Sequence, residues 1–196
     1  MVRDQALRRW LLPFLAAVAV FAADQLTKLW AFRALGPTPC NELAGGCPRL
    51  PIIGTWFDLV YVTNTGVAFG LLRDVPQLFT IIPLLICAGA VYVYVAYLPT
   101  ENRWLQAALG LVLGGGIGNV LDRLRYGSVV DFVRIGRWPV FNVADSAICV
   151  GMAIMAVYLL LYERATAPHP SAVRDDALLS ALLSEEPNSQ PTDDRQ

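Results

Sequence analysis

The chain has 196 residues, a net charge of −1, 56% hydrophobic residues and only 16% charged ones. Soluble domains carry about 25% charge, so this balance is that of a membrane protein. The acidic excess lies after Glu163, and the mildly basic remainder is too dispersed to form a nucleic-acid face, which excludes nucleic acid as a partner.

In chain order, Arg3, Arg8 and Arg9 precede an apolar run over residues 11–23, a pattern that also suits a cleavable secretory signal. The apolar character resumes after Asp24 and reaches Leu35, about 25 residues in all, which predicts a retained spanning helix over 11–35. Residues 36–75 are a loop. Within it Phe57, Val60, Tyr61, Val62 and Thr63, followed by Asn64-Thr65-Gly66, read as a strand and a turn of a small sheet on the membrane surface. Further spans are predicted over 76–98, 104–122 and 140–162, each long enough to cross about 30 Å of hydrocarbon. A second short strand is expected over 128–133. Four spans over residues 1–164 place both termini on one side, and residues 165–196 form an acidic, disordered tail.

Basic residues do not orient the spans, because they are nearly balanced on the two sides. The loop between the third and fourth spans holds Arg123, Arg125, Arg134 and Arg137, more than orientation requires, and this points to binding of headgroups or of an anionic main chain. Gly110, Gly114 and Gly118 recur at every fourth position of the third span, a face suited to close helix packing. Cys87 and Cys149 in apolar runs read as small buried residues. Cys40 and Cys47 flank a loop rich in Pro and Gly; they could join if that loop faces an oxidising compartment, or remain free.

The single histidine, His169, lies in the polar tail, so chemistry that needs a positioned imidazole is excluded from the spans. Suspicion falls on ionisable groups at membrane depth, where each costs about 2.5–3.5 kcal/mol to insert. Asp24 and Lys28, four apart, share a helix face and can pair. Asn119, Asp122 and Arg123 share another. Asp131 lies in an apolar strand-like run and Asp145 about a turn inside the fourth span, with Gly136 and Pro139 in a connection that can bring them together. Two carboxylates in a poorly solvated site share a proton, one serving as base on a water while the other donates to a carbonyl oxygen. An acid in a span could equally relay protons or cap a helix.

Five runs occur in order: Asp24-Gln25-Leu26-Thr27-Lys28, Val62 through Gly70 around Asn64-Thr65-Gly66, Gly118-Asn119-Val120-Leu121-Asp122-Arg123, Val129-Val130-Asp131-Phe132 and Phe141-Asn142-Val143-Ala144-Asp145. Together they resemble the bacterial lipoprotein signal peptidase family, signal peptidase II. The resemblance implies four transmembrane helices with a small extracytoplasmic β-sheet cradle, in the bacterial inner membrane, both termini cytoplasmic and the site near the outer leaflet. It implies an aspartic endopeptidase that cuts diacylglyceryl-prolipoprotein just before the lipid-modified cysteine, without metal or organic cofactor. A monomer is expected, in contact with membrane lipid and sensitive to globomycin-type inhibitors.

The family's catalytic pair falls on Asp131 and Asp145, and its other motif residues fall on Asp24, Lys28, Asn64, Gly66, Asn119, Asp122, Arg123, Asn142 and Ala144. Arg123, Asn119 and Asn64 are expected to hold the substrate main chain and Asn142 to orient the aspartates. The Cys40–Cys47 insertion and the acidic tail depart from the family pattern. Competing readings are a proton-coupled carrier using the four acids, a scaffold assembled through the glycine face, and a serine-lysine protease pairing Lys28 with Ser128 or Ser146.

Overall fold

The structure is a computed structural model that describes residues 2–36, 49–66 and 76–166. Seven elements follow one another: α1 (Val2–Leu35), β1 (Arg49–Ile53), β2 (Phe57–Asn64), α2 (Pro76–Tyr97), α3 (Arg103–Tyr126), β3 (Val129–Ile135) and α4 (Val143–Thr166). Four helices are long and apolar enough to cross a membrane. Met1–Leu159 is one compact unit; of a second, Leu160–Gln196, the described part is the end of α4. Cys40, Cys47 and the acidic tail lie outside the described residues.

Helix ends follow local chemistry. Asn102 caps α3, its side chain accepting from the Trp104 N–H at 2.9 Å, and Gly127 ends it at φ 72°, donating its N–H to Arg123 O at 2.9 Å. The third helix therefore runs a turn beyond the expected 122. The fourth helix begins at Val143, three residues after the expected start, because Phe141 is still extended and bridges Val133 of β3. Inside α1, Pro13 has no N–H to offer the carbonyl of Arg9. The Tyr94 hydroxyl of α2 lies 3.3 Å from that carbonyl oxygen and 2.9 Å from Thr100 O.

Helix α3 is the hub, with buried residues along its length, whereas the other three turn large apolar side chains such as Phe14, Leu26, Leu85 and Val157 outward. Its glycines make this possible. A Cβ on Gly110 would lie 2.5 Å from Ala16 Cβ of α1, one on Gly114 2.5 Å from Ala17 O, and one on Gly115 2.5 Å from Ala144 O of α4. Because the obstacle at Gly114 is backbone, Gly114→Ala forces α1 away from α3. The expected outcome is a loss of about 1–3 kcal/mol, read as a lower unfolding midpoint in detergent. Toward the chain-terminal end of the bundle Tyr94, Leu105, Leu109, Val112 and Met155 form the apolar core.

The three strands form one antiparallel sheet in the order β1-β2-β3. β1 was not expected as a separate strand. All five of its residues are exposed, so it lacks the alternation by which a half-buried strand is recognised. The sheet packs on the last turns of α1, where Tyr61, Val130 and Phe132 cover Ala31 and Leu35. Across β2 and β3, Asp58 stands opposite Arg134 and the two form an ion pair. Cys149 is exposed on α4 rather than buried, and Cys87 is half-buried. Apolar periodicity does not separate a lipid-facing position from a protein-facing one when both surroundings are hydrocarbon.

Candidate active site

β3 carries Asp131 into the end of the bundle where α3 finishes and α4 begins. There Asn142, the residue before α4, and Asp145, its third residue, cap each other. The Asp145 N–H donates to Asn142 Oδ1 at 2.8 Å, and the Asn142 N–H donates to Asp145 Oδ2 at 3.3 Å. This is a capping box, so Asp145 belongs at the start of the helix rather than a turn inside it.

Three amides surround the two carboxylates, and each is oriented by a group that can only donate. Lys28 Nζ donates to Asn119 Oδ1 at 3.1 Å, which turns the Asn119 NH2 to Asp145 Oδ1 at 2.7 Å. The Asp145 N–H occupies Asn142 Oδ1, which turns that NH2 to Asp131 Oδ1 at 2.7 Å. The Gly66 N–H occupies Asn64 Oδ1 at 2.8 Å, and the Asn64 NH2 meets Asp131 Oδ2 at 2.9 Å. Ammonium and backbone N–H groups have no acceptor lone pair, so none of these amides can be reversed without setting donor against donor.

Behind the amides lies a buried ion cluster. Lys28 Nζ is 2.8 Å from Asp24 Oδ2 and 2.8 Å from Asp122 Oδ2, with all three residues at most 5% exposed. Asp24 Oδ1 accepts the Ala144 N–H of α4 at 3.0 Å, and Asp122 Oδ2 accepts the Val130 N–H of β3 at 3.4 Å. The cluster thus joins α1, α3, β3 and α4 at the level of the two aspartates. Lys28 has three donors, and Asp24, Asp122 and Asn119 take all of them. Ser146 donates to Asn142 O at 3.0 Å. A serine-lysine pair is not assembled here.

Gln25 was not singled out from the sequence. Its Nε2 bridges Asp24 Oδ2 at 3.2 Å and Asp122 Oδ1 at 3.0 Å, fastening α1 to α3. Residues one apart on a helix do not normally share a face, which hid it; an amide beside an acid inside an apolar span was the available signal. Gly66 has φ +84°, and a Cβ there would strike the ring of Phe79 in α2. Glycine is required both for that backbone and for the close approach. Gly66→Ala is expected to displace Asn64 from Asp131 and to lower activity, with a modest drop in the unfolding midpoint in detergent.

Burial pushes the Asp131 carboxyl up to about 7, and the negative charge of Asp145 adds to the rise; the hydrogen bonds from Asn64 and Asn142 offset part of it. Arg123 donates through Nη1 to Asn119 O at 3.3 Å, and its Nε is buried without a hydrogen-bond partner among the described residues. The sequence-predicted residues Asp24, Lys28, Asn64, Gly66, Asn119, Asp122, Asp131, Asn142, Ala144 and Asp145 form one continuous network, with Arg123 at its edge.

Four apolar helices with paired carboxylates gathered at one end define a multi-pass membrane protein with the equipment of a hydrolase. Residues 16–161 match the family model for signal peptidase (SPase) II, and the chain belongs to that family of membrane peptidases. It is 44% identical over 151 residues to the lipoprotein signal peptidase of Moorella thermoacetica, covering 76% of this chain and 94% of that one. It is 45% identical over 147 residues to that of Pelotomaculum thermopropionicum, covering 75% and 90%. A bacterial membrane enzyme structure obtained by the in meso method at 2.3 Å resolution superposes with a TM-score of 0.64 at 27% identity, covering 80% of this chain and 92% of that one.

Proposed function

We propose that the protein is an aspartic endopeptidase that removes the signal peptide from diacylglyceryl-prolipoprotein by cutting just before the lipid-modified cysteine. It works as a single chain in the bacterial inner membrane, both termini cytoplasmic and the site near the outer leaflet, with no cofactor. The reading rests on Asp131 and Asp145, held by three one-way amides at one end of the bundle, together with the family match. A lipidated cysteine stays in the bilayer, so the water-activating pair must sit close to membrane depth. Acids at this one end suit a reaction pocket better than a path across the membrane.

In this mechanism Asp145 accepts a proton from the attacking water while Asp131 donates one to the scissile carbonyl oxygen, giving a neutral gem-diol. Collapse breaks the C–N bond, the amine of the cysteine takes up a proton from the pair, and the carboxyl of the signal peptide leaves. Arg123 Nε, buried and without a hydrogen-bond partner among the described residues, is the donor we assign to a substrate carbonyl, because peptide groups otherwise go unpaired at this depth.

The test is cleavage of a diacylglyceryl-prolipoprotein by purified protein, with the product mass locating the cut. A product beginning with the lipidated cysteine, and inhibition by globomycin-type peptides, are expected; inertness on several lipidated substrates would sink the reading. The rate should also fall as pH rises through about 7, because above that value Asp131 loses the proton it must donate. The apparent pKa belongs to the pair rather than to either residue. A kcat/KM profile still rising beyond pH 8 contradicts this assignment.

A further inference from the structure

The end of the bundle remote from Asp131 and Asp145 carries a second polar feature. A cavity of about 610 Å³ opens beside the start of α1 and α3, lined by Arg9, Glu101, Arg103, Gln106 and the leucines of α1. A second of about 510 Å³ shares Arg9 and Glu101 with the first and is also lined by Trp10 and Thr100. Arg103 is 19 residues before Asp122 on α3, which puts it about 28 Å away along the helix. This feature therefore belongs to the opposite leaflet and has no part in cleavage.

Its chemistry is that of a headgroup site. Arg103 is the first residue of α3 and Arg9 lines the same cavity, so the two guanidinium groups stand together at the end of the bundle, at the depth of lipid phosphates. Among the described residues neither guanidinium has a carboxylate within ion-pair distance. Gln106 Nε2 donates to Thr100 O at 2.8 Å, which fixes its amide at the cavity wall. Trp10 and Trp104 are exposed at the same level, as in interfacial aromatic belts, and Leu11 and Leu15 continue the wall toward the hydrocarbon with exposed side chains. Among the described lining residues, two arginines and one glutamate leave one positive charge in excess.

We infer that this cavity binds an anionic glycerophospholipid, its phosphate between Arg9 and Arg103, its headgroup hydroxyls donating to Glu101 and an acyl chain lying along Leu11 and Leu15. Basic pockets between helices at a membrane surface hold anionic headgroups in this way, each cation contributing about a fivefold gain in affinity.

The experiment titrates the purified full chain in detergent with phosphatidylglycerol, with phosphatidylcholine of the same acyl chains, and with inorganic phosphate. Retained lipid is read by native mass spectrometry and the unfolding midpoint is followed. Phosphatidylglycerol is expected to be retained and to raise the midpoint, phosphatidylcholine to do so far less. Arg9→Gln and Arg103→Gln should each weaken retention about fivefold without changing cleavage in detergent. Glu101→Gln keeps an acceptor for the headgroup hydroxyls and removes the charge that repels the phosphate, so it should strengthen retention, a result that loss of folding cannot imitate. Equal retention of both lipids, or retention unaffected by the Arg9→Gln/Arg103→Gln double substitution, overturns the inference. So does an equal midpoint shift from inorganic phosphate, since the site would then take the free anion.

Discussion

Asp131→Asn and Asp145→Asn should each reduce cleavage at least about a thousandfold while leaving the protein folded. General acid and general base steps are each worth about 10²- to 10⁴-fold, and residues that act as one unit are lost together. Folding responds differently. Asp131 is raised from 3.8 to about 7, so the folded state holds its proton more tightly than the unfolded chain. That contribution is full below pH 4 and disappears as pH rises through about 7, leaving a buried charge that costs stability. Asp131→Asn removes the charge but sets its NH2 against the NH2 of Asn64 or Asn142, so at pH 8 its unfolding midpoint should stay close to that of the unsubstituted protein. An inactive Asp131→Asn that also unfolds early would mean the residue serves structure, and either variant with near-full activity would refute the two-aspartate mechanism.

The second large effect is expected at Lys28. Lys28→Met removes the cation that, among the described residues, alone pairs with Asp24 and Asp122, both buried, and leaves two carboxylates without a counter-ion at the junction of α1, α3, β3 and α4. Breaking a buried ion cluster from one side costs about 3–5 kcal/mol, enough to unfold many membrane domains on warming. Adding Asp24→Asn and Asp122→Asn to Lys28→Met should restore much of that stability, because neutral amides need no counter-ion. Thermal unfolding of the single and triple variants checks this; equal midpoints for Lys28→Met and the unsubstituted protein would show the cluster to be energetically idle. Activity need not return in the triple variant, since Asn119 also loses the ammonium that orients it.

Much of this architecture was legible in the sequence because hydrocarbon leaves so few choices. Apolar runs of sufficient length become helices, and ionisable groups inside them must find partners, so the pairing of Asp24 with Lys28 followed from spacing alone. The assembly of the pair Asp131 and Asp145 needed the resemblance, since a strand and a helix start 14 positions apart have no intrinsic reason to meet. β1 was invisible because it buries nothing. The role of Asn142 as a cap was hidden by apolar neighbours on both sides, which extended the predicted span past the true start of α4. Gln25 was hidden by its adjacency to Asp24. The direction of the three amides is a property of the assembled network: Lys28, the Gly66 N–H and the Asp145 N–H come from three different elements, and no one segment carries the information.

Of the three amides, Asn119 and Asn142 are buried and Asn64 is exposed. The pair of acids is therefore closed on the bundle side, and Asn64 is the amide that faces outward. On the proposed reading, the water that is consumed and the chain that is cut arrive through the same doorway. A compound lodged against Asn64 would stop hydrolysis by drought, without touching either acid.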